Sequence, residues 1–292
     1  MILVNFRFEF GWGDTFINVY NCISLIKYIK EQTDCPVHFT INNKKNSNAL
    51  NVVLDIDYFN SLCDYFELLN SQKSIDIVNG ETIYQGKKFV RVHSLNNPDI
   101  TNSVPGGFDV FVEPKNTDII KALHIPYERF RYDMSTQVVS DYPFYKKELY
   151  ERALNFLKCE FDSIYYRSTG AIYGFDGSSG EGKVNRFISY LNSLDKTKKY
   201  FFCSNSAVIK KMVLEKTKLN LVLFRDLNKH DINHLPNGFS MHDEDAYFAV
   251  SEMLIMGQSK HIHYSGEQSY MSLFNFYPVC VKRVRITDID KI

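Results

Sequence analysis

The sequence predicts an α/β protein made of two consecutive units, each a mainly parallel sheet covered by helices. Three observations carry that expectation. Apolar runs of strand length alternate with longer stretches of helical period. Several of these runs end in glycine or small polar residues that open the next helix. The alternation also fades in the middle of the chain and then restarts. A length of 292 residues accommodates one large or two moderate domains.

The first unit opens with the apolar run Ile2 to Phe8, a buried-strand pattern. The turn Phe10-Gly11-Trp12-Gly13-Asp14 follows, and then a helical pattern from Thr15 to Lys30. Phe16, Val19, Tyr20, Ile23, Ile26 and Ile29 share one face of that helix. With the next strand, Val37 to Ile41, the order is βαβ, which calls for parallel pairing. From Asn42 to Pro114 the pattern is less regular. Val52 to Leu54, Ser74 to Val78 and Phe89 to Val92 read as short strands, Tyr58 to Leu69 as a helix, and Asn96 to Phe108 as a long loop. A helix from Tyr145 to Lys158 leads into the second unit. There strands at Asp162–Arg167, Tyr200–Ser204, Leu219–Phe224, His261–Tyr264 and Val279–Val284 alternate with helices. The helices are at Val184–Leu194, Ala207–Leu214, Asp245–Met256 and Gln268–Phe276. The boundary falls near Tyr142 to Leu149, dividing the chain into domains at 1–145 and 146–292. No internal repeat or low-complexity tract interrupts it.

Composition narrows the function classes. Lys plus Arg and Asp plus Glu are each 34, so the formal charge is zero, without the basic excess expected of a nucleic-acid binder. The six cysteines (Cys22, Cys35, Cys63, Cys159, Cys203, Cys280) form no CxxC and no metal-ligand spacing, and they read as buried, reduced thiols. The start of the chain has no basic-then-apolar leader pattern, and no run approaches the ~18 apolar residues that span a bilayer. The expectation is a soluble, cytoplasmic protein with no transmembrane segment and no nucleic-acid partner.

Ligands of such sheets bind beyond the carboxyl ends of the strands, so the chemistry is sought there. At the first turn, Gly11 and Gly13 allow close backbone approach to an anion at a helix N-terminus. Asp14 reads either as part of that site or as a simple cap. In Tyr165-Tyr166-Arg167-Ser168-Thr169-Gly170, an arginine ends an apolar strand, where its fork can hold a diphosphate or pair with a carboxylate. The glycine-rich stretch Gly174 to Lys183 reads as a closing loop. It narrowly misses the P-loop pattern because Val184 stands where a Ser or Thr is needed. Ser204, Asn205 and Ser206 end another strand, as caps or as phosphate and ribose contacts. Ser265, Gly266, Gln268 and Ser269 do the same after the strand at His261, and Glu252 on the preceding helix points either to the site or to solvent.

Together these segments resemble the fucosyltransferase superfamily of GT-B fold, whose members include α1,6-, α1,2- and protein O-fucosyltransferases. The turn Phe10 to Asp14 is similar to that family's opening glycine turn, and Tyr165 to Thr169 to its His-x-Arg-Arg motif. Phe202 to Ser206 stands where the family has a strand ending in Thr-Asp-Asp or similar, and Ser251 to Ser259 with Tyr264 to Ser269 is similar to its Asp-x-x-x-Leu-Ser helix and terminal Ser-Ser motif. The resemblance implies two Rossmann-like domains facing each other across a cleft, acceptor side first and nucleotide-sugar side second. It implies an inverting, metal-independent glycosyltransferase that needs no cofactor beyond its nucleotide-sugar donor, GDP-fucose or a UDP-sugar, and takes a glycan or glycoconjugate acceptor. Tyr165 stands for the motif's His, Ser168 for its second Arg and Glu252 for the helix Asp. The first and last of these positions help recognise guanine in the family, so the donor base stays open, while the role of Arg167 on the diphosphate carries over. The general base is sought among Asp14, Asp176 and Glu181.

Two alternatives share the pattern. One is a transferase with another donor, heptosyltransferase-like or UDP-sugar-dependent, and the other a non-catalytic nucleotide- or glycan-binding protein. Asp55-Ile56-Asp57 has the form of a metal-binding Asp-x-Asp but reads as a helix cap. Asp243 to Asp245 reads as a helix start, and Asp288 to Asp290 as a frayed end.

Overall fold

The computed structural model describes residues 1–7, 12–42, 49–70, 73, 75–94, 108–116, 118, 144–166, 180–204, 206–225, 243–265 and 285–292. The described residues form two compact units, one ending at Lys146 and the other running from Lys147 to Ile292.

The first unit is built on a six-stranded mixed sheet. Strand β1 (Ile2–Arg7) pairs in parallel with β2 (Val37–Asn42), which pairs in parallel with β3 (Tyr65–Leu69). Helix α1 (Trp12–Gln32) makes the crossover between β1 and β2. Val19, Cys22, Ile23, Ile26 and Ile29 are buried, and their three- and four-residue spacing puts them on one stripe against the sheet. The helix begins at Trp12, three residues earlier than the sequence suggests. Gly13 and Asp14 therefore lie in its first turn, and Asp14 is not its cap. On the other side of β1 come β6 (Phe108–Val112), β5 (Lys87–Ser94) and β4 (Glu81–Tyr84), each antiparallel to its neighbour. The β4–β5 turn holds Gln85 and Gly86 at φ 49° and 71°, the pair of positive values that a tight two-residue hairpin needs.

The irregular stretch departs most from expectation. Val52 and Val53 belong to a short helix, α2 (Ala49–Val53), and Leu54 makes only an isolated bridge to Tyr145. The helix expected from Tyr58 to Leu69 is split into α3 (Ile56–Leu62) and β3. The Asp55 carboxylate caps α3 by accepting from the Tyr58 N–H at 3.1 Å, as read from the sequence. Asp64 then accepts from the Val37 N–H at 2.8 Å and starts β3 along β2. Phe59 and Phe66 stack at 4.7 Å, so one aromatic core closes over helix and strand together. Ile75 to Ile77 form no strand, and Val78 makes a single bridge to Glu81.

The second unit holds a five-stranded, wholly parallel sheet in the order β11-β10-β7-β8-β9. Its strands are β7 (Asp162–Tyr166), β8 (Lys199–Ser204), β9 (Asn220–Val222), β10 (His261–Ser265) and β11 (Arg285–Asp288). Both faces are covered. Ile164, Tyr166, Tyr200 and Phe202 pack under α5 (Gly180–Ser193) and α6 (Ala207–Lys216) with Val184, Phe187, Leu191, Ile209 and Val213. The alternate side chains face α4 (Lys147–Leu154), the chain that follows it, and α7 (Asp243–Met256). There the Cys203 thiol lies 3.2 Å from the Met256 sulfur, and the Phe156 and Phe201 rings lie 6.0 Å apart. Burial on both faces explains the near-continuous apolar strands.

Three further expectations change. Gly180 to Lys183, expected in the closing loop, belong to α5, and Glu181 sits in that helix; positions 174–179 of the expected loop lie outside the described residues. The chain end is ordered: Asp288 caps a 3-10 turn and Ile289 is buried in the α5 core. Among the described cysteines, Cys22, Cys63 and Cys203 are buried, but Cys35 is half-buried and Cys159 is exposed. The helix expected at Gln268 to Phe276, the strand at Val279 to Val284, the loop at Asn96 to Phe108 (up to residue 107) and Cys280 lie outside the described residues. Among the described residues, no helix is long and apolar enough to cross a membrane.

Candidate nucleotide-binding site

Numbered from its own first strand, the second sheet has the order 3-2-1-4-5, that of a doubly wound mononucleotide fold. In such a sheet the connections after strands 1 and 4 leave toward opposite sides. The crevice between them at the carboxyl edge is the general ligand site. Here those strands are β7 and β10, adjacent through Tyr166 opposite Ser265.

Four described residues from the sequence-derived set lie at or near this edge, as Tyr165, Ser204, Ser206 and Ser265. Ser265 is buried and donates from its hydroxyl to the Asp290 carboxylate at 2.8 Å. Burial and the nearby Asp290 push the Tyr166 phenol up to about 12, so it stays a hydroxyl donor at neutral pH. Tyr165 faces the opposite side and is buried beside Cys203 and Tyr264 in the register, a packing position. The Ser204 hydroxyl accepts from the Ser206 N–H at 3.2 Å. The Ser206 hydroxyl caps α6, accepting from the Ile209 N–H at 3.3 Å. Each serine thus uses its oxygen on the main chain, and the cap role is realised.

Glu252 is neither exposed nor alone. Its carboxylate lies 3.4 Å from the Lys210 ammonium, with side chains 14% and 6% exposed. Burial raises the Glu252 carboxyl, and Lys210 and Arg225 pull it back toward the charged form. Arg225, just past β9, is buried with its guanidinium 4.9 Å from the Phe248 ring centroid. The sequence offers Lys210 to Lys218 as a cluster that solvates a face or meets a phosphate and does not single out Arg225; the structure buries both Lys210 and Arg225 near Glu252. Lys210 stands one residue after buried Ile209 and three before buried Val213, a spacing that places it on the inner stripe of α6 and could have revealed it. Arg167, Asp176, Asn205, Gly266, Gln268 and Ser269 lie outside the described residues, as does Gly11.

The carboxyl edge of the first sheet is also polar. Asn5, Thr40, Asn42 and Asp109 are fully buried, and the Thr40 hydroxyl donates to Asn5 at 2.9 Å. The Arg7 Nε lies 3.2 Å and an Arg91 terminal nitrogen 3.7 Å from the Asp109 carboxylate. The buried Arg7 Nη2 has no hydrogen-bond partner among the described residues. Arg7, Arg91, Asn79, Gly80, Ile75 and Ile77 line a cavity of about 490 Å³. Two guanidiniums against one carboxylate leave it a net cationic wall.

No protein-family model matches the sequence, and no curated protein matches it. Among solved structures the chain is similar to one described as NodZ α-1,6-fucosyltransferase co-crystallised with GDP. The likeness has a TM-score of 0.47 at 13% identity and covers 97% of this chain and 93% of that one.

Proposed function

We propose that the chain is a glycosyltransferase that binds a nucleoside-diphosphate sugar at the carboxyl edge of its second sheet, with fucose as the sugar the sequence resemblance favours. The observation that carries this reading is the 3-2-1-4-5 parallel order, with polar strand ends on both sides of the β7–β10 switch. The second unit, which starts at Lys147, is then the donor side and the first, which ends at Lys146, the acceptor side; the expected boundary of 145/146 differs from this by one residue. Tyr166, Ser265 and Asp290 offer a phenol, a hydroxyl and a carboxylate to the hydroxyls of ribose or sugar. The amino end of α6 supplies N–H donors to phosphate, and Gly266, Gln268 and Ser269 are the sequence-derived candidates for the same role.

In the reaction the acceptor hydroxyl attacks the anomeric carbon, and the carbon–oxygen bond to the diphosphate breaks. A carboxylate, Asp14 or Asp176, takes the acceptor's proton, and Arg167 stabilises the charge gathered on the departing diphosphate. A single displacement inverts the anomeric configuration. With arginine in this role, the transfer needs no metal.

A thermal-shift panel of GDP, UDP, ADP, CMP and their sugar conjugates, run without added metal, tests the reading. Stabilisation by GDP and GDP-fucose is expected, and UDP alone would keep the transferase but change the donor. Silence from every nucleotide would overturn it. Arg167→Ala is expected to abolish transfer with the fold intact, since a lost charged contact costs ~2–5 kcal/mol when desolvated. Wild-type turnover in that variant would remove Arg167 from the mechanism.

A further inference from the structure

At the amino edge of the second sheet, opposite the strand ends discussed above, three metal-ligating side chains converge. Asp162 is the first residue of β7, and His261 and His263 are the first and third of β10. The pairing of Ile262 with Ser163 sets His261 beside Asp162, and His263 pairs with Ile164. All three therefore stand on the face covered by α5. One ligand atom from each lies within 4.8 Å of the others; Asp162 and His263 are buried and His261 is half-buried.

A second layer of contacts orients both imidazoles. The Tyr190 hydroxyl, from α5, lies 2.8 Å from His263 Nδ1, and the Thr287 hydroxyl, from β11, lies 2.7 Å from His261 Nε2. His261 Nδ1 and His263 Nε2 are then the nitrogens an ion can take without breaking either hydrogen bond. A hydrogen bond from the outer ring nitrogen fixes the tautomer and orientation of a metal-ligating histidine, and here two hydroxyl oxygens are placed to accept it. Asp162 is paired with the Lys198 ammonium at 3.0 Å, but the Lys198 side chain is 55% exposed and can swing into water when a stronger cation arrives.

We propose that Asp162, His261 and His263 form a binding site for a divalent transition-metal ion. Two imidazoles and one carboxylate suit Zn²⁺ and its neighbours rather than Mg²⁺ or Ca²⁺, which prefer oxygen-only shells. Strands of five residues separate this edge from the β7–β10 switch by about 13 Å. The ion therefore ties β7 to β10, with α5 held only through the Tyr190 hydroxyl on His263, and takes no part in transfer, so the proposal stands whatever the donor proves to be.

The test is equilibrium dialysis of the full chain against ZnCl₂ with the bound metal quantified, in a Cys159→Ser background that removes the one exposed thiol among the described residues. One Zn²⁺ per chain is expected. His263→Ala and His261→Ala should lose it, and Tyr190→Phe, which keeps the ring packed, should weaken it about 10- to 100-fold. Lys198→Met, which removes the competing cation from an exposed position, should tighten binding. Absence of stoichiometric Zn²⁺ from the folded parent would overturn the proposal. So would undiminished binding in the His261→Ala/His263→Ala double variant, or unchanged affinity in both Tyr190→Phe and Lys198→Met. Co²⁺ substitution gives a second readout, since coordination by the two imidazoles alters its visible spectrum and the His variants should abolish that change.

Discussion

Glu252 and Lys210 are paired on elements that are far apart in sequence, and each is costly to bury without the other. Burial raises the Glu252 carboxyl above its ordinary value, while Lys210 opposes that rise. With a folded value above the unfolded one, this group favours folding most below the unfolded carboxylate range, near 4.3. That contribution is lost as pH rises through the folded value. Lys210→Met removes the counter-charge and raises the folded value further, so the loss of stability should be about 3–5 kcal/mol at pH 7 and shrink as pH approaches 5. Urea unfolding at the two pH values measures this, and an equal loss at both would show that Lys210 does not hold the Glu252 charge. At this scale the sequence was informative where one residue type meets one local need, as at Asp55 and Ser206. It was silent on Lys210 with Glu252 and on Arg225 with Phe248, because nothing local links those partners.

Elements obey the same division. Asp55 was legible as a cap because the bond it makes spans only three residues, to Tyr58. Asp55→Ala should cost about 1 kcal/mol, a fall of roughly 2 °C in a melting curve of a chain this long; no change would leave α3 held by tertiary packing alone. The β3 strand was misread as helix because Tyr65 to Leu69 lack strict alternation. Its identity comes from pairing with β2 and from the Phe59–Phe66 stack. Under α5, Phe187 is fully buried against Tyr166 at a ring distance of 4.8 Å. Phe187→Ala should destabilise the fold by about 3–5 kcal/mol, read as a lower denaturation midpoint. It should also weaken nucleotide binding if Tyr166 lines the donor site, and unaltered affinity in the folded variant would move the site away from that residue.

For the whole chain, the strand order is the observation with the widest consequence. A wholly parallel sheet wound 3-2-1-4-5 places one crevice at the β7–β10 carboxyl ends, and the two histidines with Asp162 fall at the other edge. The two edges predict separable responses to a chelator. EDTA should leave initial transfer rates unchanged at low temperature and lower the melting temperature of Zn²⁺-loaded protein. Loss of transfer on brief chelation, restored by Mn²⁺, would instead put a metal in the reaction and redirect attention to Asp55 and Asp57.

By itself the sequence determined the βα alternation, the crossover from β1 through α1 to β2, the caps at Asp55 and Ser206, and the small polar residues Ser204 and Ser265 that close two strands. These depend on period and on hydrogen bonds spanning a few residues, and both are written in local order. Tertiary structure alone decided that three antiparallel strands extend the first sheet, that β7 neighbours β10, and that Ser265 meets Asp290. It alone buried Lys210 with Glu252 and brought Asp162 to His261 and His263. Those pairings join residues tens to about a hundred positions apart. Their free energy comes from burial and charge neutralisation in the folded chain, to which local propensity contributes nothing.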